Sequence, residues 1–425
     1  MKPRLKILLS AFFCSPYRGG EAAVGWNVAV GLAKYHDVTV ICGDMERSAP
    51  TKVDLERFRA EQTMPEGLTI RCLHAEGWTR LLHDLHTLPG CWHSYYLAYR
   101  LWQKQALRLA EQLNSESPFD IVHHLNIIGY REPGYLWQLG APFFWGPLTG
   151  APQVPFSYLH DFGLNERIHW SIRNVLNKIQ MRGQRRVRQA AGKAARIWTV
   201  SEEDSIMVRD LWDVSASGMI ETGCQTPAAN PPRGREPDQP LKVVWSGLFQ
   251  GIKALPLLLR ALALLDKPDW SLDVLGAGPE ERKWRKLTAR LGLTARVRYH
   301  GFLPRAQALQ VMDGGDLLVH SSVKEGTPHV VLEALSMGLP VVCHDCCGMS
   351  YAVTPECGIK VPLRDPETSV NGFKSAIQAL RDDSALYHRL SAGALKRANE
   401  LTWDNKVAAL CAEYDAALRP NIHIS

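Results

Sequence analysis

Short apolar runs separated by amphipathic stretches of helical period recur along this chain in two sets. The first set is Ile7–Leu9, Val38–Cys42, Leu68–Cys72, Ile121–His123 and Phe143–Trp145. The second is Val243–Trp245, Leu272–Leu275, Val297–Tyr299, Leu317–His320 and Val341–Cys343. Runs this short and this apolar suit strands buried on both faces, and strands that alternate with helices build parallel sheets. The rhythm therefore predicts an α/β protein with two doubly wound domains. Between the sets lies a segment broken by Pro227, Pro231, Pro232, Gly234, Pro237 and Pro240, which reads as a linker. The expected organisation is a first domain at 1–226, a linker at 227–240, a second domain at 241–402 and a terminal piece at 403–425. A length of 425 residues fits two domains better than one. The terminal piece holds a last helix, about Trp403 to Leu418, with Val407, Leu410, Cys411 and Tyr414 on one face.

Charge narrows the function classes. A net charge of +6 does not point to nucleic acid, which we do not expect as a partner. The ten cysteines fall in apparent core segments, as expected of reduced thiols in a cytoplasm rather than a disulfide scaffold. Cys343-His344-Asp345-Cys346-Cys347 has no second Cys/His pair at ligand spacing, so no metal site is expected. The basic start and the run Ile7–Phe13 imitate a secretion signal, but the run leads directly into Ser15-Pro16-Tyr17-Arg18-Gly19-Gly20. A buried first strand ending in a glycine loop explains it better. No apolar stretch is long enough to span a bilayer.

The segment from Glu325 to Pro340 carries the most chemistry. Thr327 is placed to N-cap a helix with Pro328 at its first position, leaving the N–H groups of His329 and Val330 aimed at an anion. Gly338 closes the helix and Pro340 blocks its continuation. Glu325 before the helix and Glu333 within it add acidic acceptors for hydroxyls on either side. A nucleotide sugar combines these needs: hexose hydroxyls, a diphosphate and ribose hydroxyls.

The string Glu325-Gly326 … Glu333-Ala334 … Gly338-Leu339-Pro340-Val341 resembles the E-G-x-x-x-x-x-x-E-A-x-x-x-G-x-P-V signature of retaining GT-B glycosyltransferases of family 4, the glycosyl transferases group 1. The resemblance implies a GT-B fold of two Rossmann-like domains facing a central cleft, with the last helix crossing back onto the first domain. It places Glu325 at the donor hexose and Glu333 at the ribose, and it makes Gly326, Thr327, His329 and Val330 donor-binding. In the stretch Gly247-Leu248-Phe249-Gln250-Gly251-Ile252-Lys253-Ala254 the family reads G-R-x-x-x-x-K-G. Lys253 thus takes the phosphate-contacting place, while Leu248 and Ala254 depart from the pattern. Arg305 or Arg131 is a candidate to replace the missing arginine. Gly301 falls where backbone meets the nucleobase, Gly276-Ala277-Gly278 at an expected turn, and Gly20 in the first-domain glycine loop. Of the two histidines ending the fourth strand, His123 is preferred as the one near the reacting sugar, with His124, Gly146 and Thr149 on the acceptor side.

The implied reaction is transfer of a hexose from a nucleotide-sugar donor to a saccharide or lipid-linked saccharide hydroxyl, with retention and without metal or other cofactor, in polysaccharide or glycolipid assembly of bacterial type. The catalytic set is Glu325, His123 and Lys253. A sugar-nucleotide epimerase of the same fold and a catalytically silent nucleotide-sugar-binding partner are the alternatives. Two features of the first domain suit peripheral contact with an anionic membrane surface. One is a basic run from Arg167 to Arg196; the other is an aromatic cluster of Trp92, Tyr95, Tyr96, Tyr99 and Trp102. The expected location is cytoplasmic, with attachment to the inner face of the membrane.

Overall fold

The computed structural model describes residues 3–45, 50–88, 91, 93–225, 231–236 and 239–419. Much of the expected linker, and Trp92 of the aromatic cluster, lie outside these residues.

Every apolar run named above is a strand. The first sheet comprises β1 (Lys6–Ala11), β2 (Asp37–Asp44), β3 (Leu68–His74), β4 (Ile121–Asn126), β5 (Phe143–Leu148), β6 (Ala194–Thr199) and β7 (Ser217–Gly218). Its order is β3-β2-β1-β4-β5-β6-β7, with all pairs parallel. The second sheet comprises β8 (Leu241–Ser246), β9 (Trp270–Leu275), β10 (Val297–Gly301), β11 (Leu317–His320), β12 (Val341–His344) and β13 (Gly358–Val361). Its order is β10-β9-β8-β11-β12-β13, again parallel throughout. Three strands escape the pattern reading because of their composition. Arg196 interrupts β6 and pairs with Glu413, Lys360 interrupts β13 and pairs with Asp345 at 2.9 Å, and β7 is only two residues long.

Both faces of each sheet are covered. All six residues of β4 are buried. The helix Glu21–Ala33 covers one face of the first sheet through Val24, Val28 and Ala29, and the helix His93–Glu116 covers the other through Tyr99, Trp102 and Ala106. The last helix is Trp403–Leu418, N-capped by Thr402, whose Oγ1 accepts from the Asn405 N–H at 3.3 Å. It returns to the first domain, where Val407, Leu410 and Tyr414 join the core of the Glu21–Ala33 face. Cys411, expected on the same face, is partly buried and packs against that core.

A second crossing was not legible in the sequence. Val154, Tyr158, Leu159 and Phe162 follow β5 of the first sheet yet pack into the core of the second domain. Tyr158 Oη donates to the Asp365 carbonyl at 2.9 Å, and Arg260 grips Asp161 with two bonds of 2.7 Å. The chain order reverses between β1 and β4 in one sheet and between β8 and β11 in the other. Ligands of open α/β sheets bind beyond the strand ends at such points.

Candidate functional site

On the second-domain side, β11 leads through Glu325 into the helix His329–Ser336. The N-cap is Pro328 rather than Thr327, so the expected cap shifts by one residue. The Thr327 hydroxyl instead accepts from the Glu221 N–H at 3.2 Å and ties the loop to the end of the first domain. The helix's first bond runs from the Val331 N–H to the Pro328 carbonyl at 3.1 Å. The N–H groups of His329 and Val330 precede it and retain the orientation that suits an anion. Gly338, at φ 72°, ends the helix as expected.

The loops around this helix end are bonded side by side. The Gly247 N–H donates to Leu275 at 3.0 Å and the Gly276 N–H to Gly301 at 2.9 Å. Gly276 has φ 125°, and a Cβ there would lie 2.0 Å from the Gly247 carbonyl oxygen, which only glycine permits. Gly247 and Gly301 therefore share one rim with Glu325. Lys253 forms an ion pair with Glu325 there. Its carbonyl accepts from the Ser321 hydroxyl at 2.8 Å, and that hydroxyl accepts from the Trp245 indole at 2.9 Å. His320 sits 3.8 Å from Glu325, and burial together with the Lys253 charge keeps it neutral. Arg305 bonds Glu333 at 2.7 Å, so it covers the carboxylate that the resemblance assigns to ribose. Leu248 is 54% exposed and points away from the core.

On the first-domain side, Gly20 (φ 61°) caps the helix Glu21–Ala33. The half-buried Glu21 carboxylate accepts from the Ile128 N–H at 3.2 Å. Thr149 lines a cavity with Gly129, Gly150, Glu325 and Gly326, so it lies beside the Glu325 loop. The two histidines require correction, because both side chains of β4 face covered sides of the sheet. His123 is fully buried under the last helix. Its Nε2 donates to the Gly146 carbonyl at 2.9 Å, and its Nδ1 accepts from Tyr414 Oη at 2.7 Å. Burial lowers its pKa to about 4. His124 is buried on the opposite face, beside Gly134 and Gln103, and burial lowers its pKa to about 3. Neither ring is open to the cleft. Gly146 is likewise buried within β5 and supplies a carbonyl to His123 rather than a surface to an acceptor.

Other residues come together at the site, of which the sequence names only Arg131, as a candidate to replace the missing arginine. Arg131, Arg173 and Lys324 line the same cavity as Glu325 and Gly326. Lys324 was within reach of sequence reasoning, being next to Glu325; the two arginines converge only through the fold. Glu221 is buried behind the loop, and a Cβ on Gly326 would lie 2.9 Å from its carboxylate. Burial, then the neighbouring Glu21 charge, raises its pKa to about 8. Lys406 of the last helix is buried nearby, donates to the Ile220 carbonyl, and is lowered to about 7 by burial. Among the described residues, no group of three or more His, Cys, Asp or Glu is placed to hold a metal ion.

The surface features of the first domain also need correction. Tyr99 and Trp102 are core residues, and Tyr95 and Tyr96 are half-buried, so the aromatic cluster is mainly packing. Within the basic run, Arg186 is held by Glu132 and Arg196 by Glu413. Arg167, Lys178, Arg182, Arg185 and Arg188 are exposed.

Comparison with known proteins fits this geometry. Residues 228–397 match the family described as Glycosyl transferases group 1. The match falls on the second domain and its approach. A D-inositol 3-phosphate glycosyltransferase of Jonesia denitrificans is 31% identical over 184 residues, covering 41% of this chain and 42% of that protein. The lipopolysaccharide core biosynthesis glycosyltransferase LpsD of Rhizobium meliloti is 34% identical over 152 residues, covering 36% of this chain and 42% of its own. The chain thus matches less than half the length of these curated relatives. Among solved structures, the lipopolysaccharide outer core galactosyltransferase WaaB superposes with a TM-score of 0.64 at 16% identity, over 97% of this chain and 100% of that one. HepE of Anabaena, solved with UDP and glucose, gives 0.56 at 14% identity, over 96% and 100%. At these identities the likeness speaks for fold alone, and the fold is GT-B. The group 1 segment contains Glu325, Glu333, Lys253 and the helix His329–Ser336, the half of the cleft where the sequence motif and the structure coincide.

Proposed function

We propose that the chain is a glycosyltransferase that moves a hexose from a nucleotide sugar to an acceptor hydroxyl, with retention at the anomeric carbon and without a metal. The observation that carries this reading is the rim made by Glu325, Lys253, Gly247, Gly301 and the N–H groups of His329 and Val330. The helix end and Lys253 receive the donor diphosphate, releasing Glu325 from its ion pair to meet the hexose. Glu333 exchanges Arg305 for ribose hydroxyls. Leaving-group charge then develops beside fixed N–H dipoles and one lysine, so the protein contributes positioning and charge stabilisation rather than a nucleophile. With His123 and His124 buried, the leaving phosphate itself is the base we assign to the acceptor proton. The test is a thermal-shift screen against UDP-, GDP- and ADP-sugars, followed by turnover of the stabilising donor. Stabilisation by at least one is expected, and indifference to all of them would overturn the reading. Epimerised donor in the absence of acceptor would replace it with the epimerase alternative.

The acceptor side is best read as membrane-facing. The helix Leu164–Gly183 is built with its polarity reversed. Asn174 and Asn177 face the protein, bonding the Val154 and Gly150 carbonyls at 2.7 Å each, whereas Leu164 (71% exposed), Ile168, Ile172, Val175 and Ile179 (63%) form a stripe toward solvent. An exposed apolar stripe flanked by Arg167, Lys178, Arg182 and Arg185 has the chemistry of an anionic lipid interface. No described helix is long and apolar enough to cross a membrane.

A further inference from the structure

Two cavities adjoin on the first-domain side of the Glu325 loop. One, of about 310 Å³, is walled by Gly129, Thr149, Gly150, Lys324, Glu325 and Gly326 among others. The second, of about 360 Å³, opens between the helices His93–Glu116 and Leu164–Gly183 and ends at Ile172 and Leu176. Tyr96, Arg131 and Arg173 belong to both walls.

Two cations, Arg131 and Arg173, lie where the cavities meet, and Lys324 lines the first beside them. Arg131 donates from Nε to Gln180 at 2.6 Å and from Nη2 to Asn177, and its guanidinium lies 4.6 Å from the Tyr130 ring centre. Arg173 lies 5.3 Å from the Trp170 ring centre, and Lys324 donates to the Pro152 carbonyl. All these partners are neutral. The nearby carboxylates are engaged elsewhere: Glu325 with Lys253, Glu132 with Arg100 and Arg186, and Asp204 with Ser201 and the Ala151 N–H. Burial lowers the pKa of both Lys324 and Arg131; at Lys324 the two arginine charges add to it, against Cys347 and Asp204, which raise it. Like charges gathered in a partly dry cavity are unfavourable until an anion joins them.

The donor diphosphate does not fill this role. Its place is the start of the helix His329–Ser336, where the charges felt by His329 are those of Glu333, Arg305 and Glu325. We propose that Arg131, Arg173 and Lys324 form an anion subsite for the acceptor, binding a phosphate or diphosphate that it carries beside the sugar-accepting hydroxyl. The inference rests on the glycosyltransferase reading, because it is the donor hexose at Glu325 that makes this side the acceptor side. Guanidinium groups bind phosphate oxygens in pairs, which fixes orientation as well as affinity. The Ile172 and Leu176 end of the second cavity then suits whatever apolar chain lies beyond the phosphate.

The test is calorimetric titration of the full chain with inorganic pyrophosphate and with farnesyl diphosphate, each alone and at saturating UDP, GDP or ADP. Both probes should bind together with the nucleotide, and Arg173→Gln and Lys324→Gln should each weaken them at least tenfold while leaving nucleotide affinity within twofold. That retained affinity also shows that the variants fold. Tighter binding of farnesyl diphosphate than of pyrophosphate supports a lipid-linked acceptor, and equal binding supports a soluble phosphorylated one. Absence of pyrophosphate binding overturns the subsite, as does parallel loss of nucleotide binding in both variants, which would assign the cations to the donor. Pyrophosphate binding without binding of any nucleotide would leave the anion site standing and overturn the glycosyltransferase reading.

Discussion

Glu325 and Glu333 belong to one motif but have different partners, and this separates their expected phenotypes. Glu333 faces an exposed Arg305 and, in the donor complex we propose, ribose hydroxyls; Glu333→Ala should weaken donor binding by about 1–3 kcal/mol, read as a rise in donor KM. Glu325 sits against Lys253 and His320, the place we propose for the donor hexose. Glu325→Gln should therefore lower kcat more than it raises KM, and unchanged kinetics in both variants would remove the motif from the donor site. The buried histidines make a second, independent prediction. With folded pKa values near 4 for His123 and 3 for His124, the unfolded chain takes up protons near pH 6.5 that the folded chain refuses. Their contribution to stability is full above pH 6.5 and is lost as pH falls through 4. Raised pKa values at Asp204 (about 6) and Glu221 (about 8) act in the opposite sense, so a substitution is needed to isolate the effect. Neither ring nitrogen of His124 has a hydrogen-bond partner. His124→Leu should hold or raise the melting temperature at pH 7 and shrink its drop between pH 6.5 and 4. A larger drop in the variant would contradict the burial account.

Among the elements, the glycine turn after β9 and the last helix show how local sequence becomes a site. Gly276 needs its left-handed backbone because the Gly247 carbonyl leaves no room for a Cβ. Gly276→Ala should cost about 1–3 kcal/mol of stability and lower donor affinity together, since the loop that moves is the rim itself; melting and nucleotide titration on the same protein check it. The last helix was legible to its ends, because Thr402 caps it and Val407, Leu410 and Tyr414 repeat at helical spacing. The resemblance sends it back to the first domain, but nothing local to Tyr414 says that its hydroxyl meets His123, nearly three hundred residues earlier. The strap through Tyr158 and Asp161 was unreadable for the same reason, its apolar residues being equally suited to either core.

For the whole molecule, the reversed helix Leu164–Gly183 decides how the cleft is presented. If it lies in the lipid interface, the second cavity opens toward the bilayer through Ile172 and Leu176. The chain should sediment with vesicles rich in anionic phosphatidylglycerol and be released by high salt, each basic residue contributing about 1 kcal/mol. Ile168→Asp with Ile179→Asp, or Arg182→Gln with Arg185→Gln, should abolish or weaken sedimentation, and Arg186→Gln should affect it least because Glu132 holds that side chain. Equal indifference to neutral and anionic vesicles at low salt would leave this face to a soluble acceptor.

By itself the sequence determined the parallel α/β architecture, the two-domain rhythm and the loop and helix from Glu325 to Pro340. Each of these is written in contiguous residues: apolar runs, a helix stop at Gly338-Leu339-Pro340, a Glu325–Glu333 spacing. Only the tertiary structure decided which way β4 turns its histidines. Side chains alternate along a strand, and when both faces of a sheet are covered, alternation sends His123 and His124 to two interiors rather than one to the cleft. Tertiary structure alone also brought Arg131, Arg173 and Lys324 into one cavity, because their shared field arises from chain segments whose proximity no local pattern encodes.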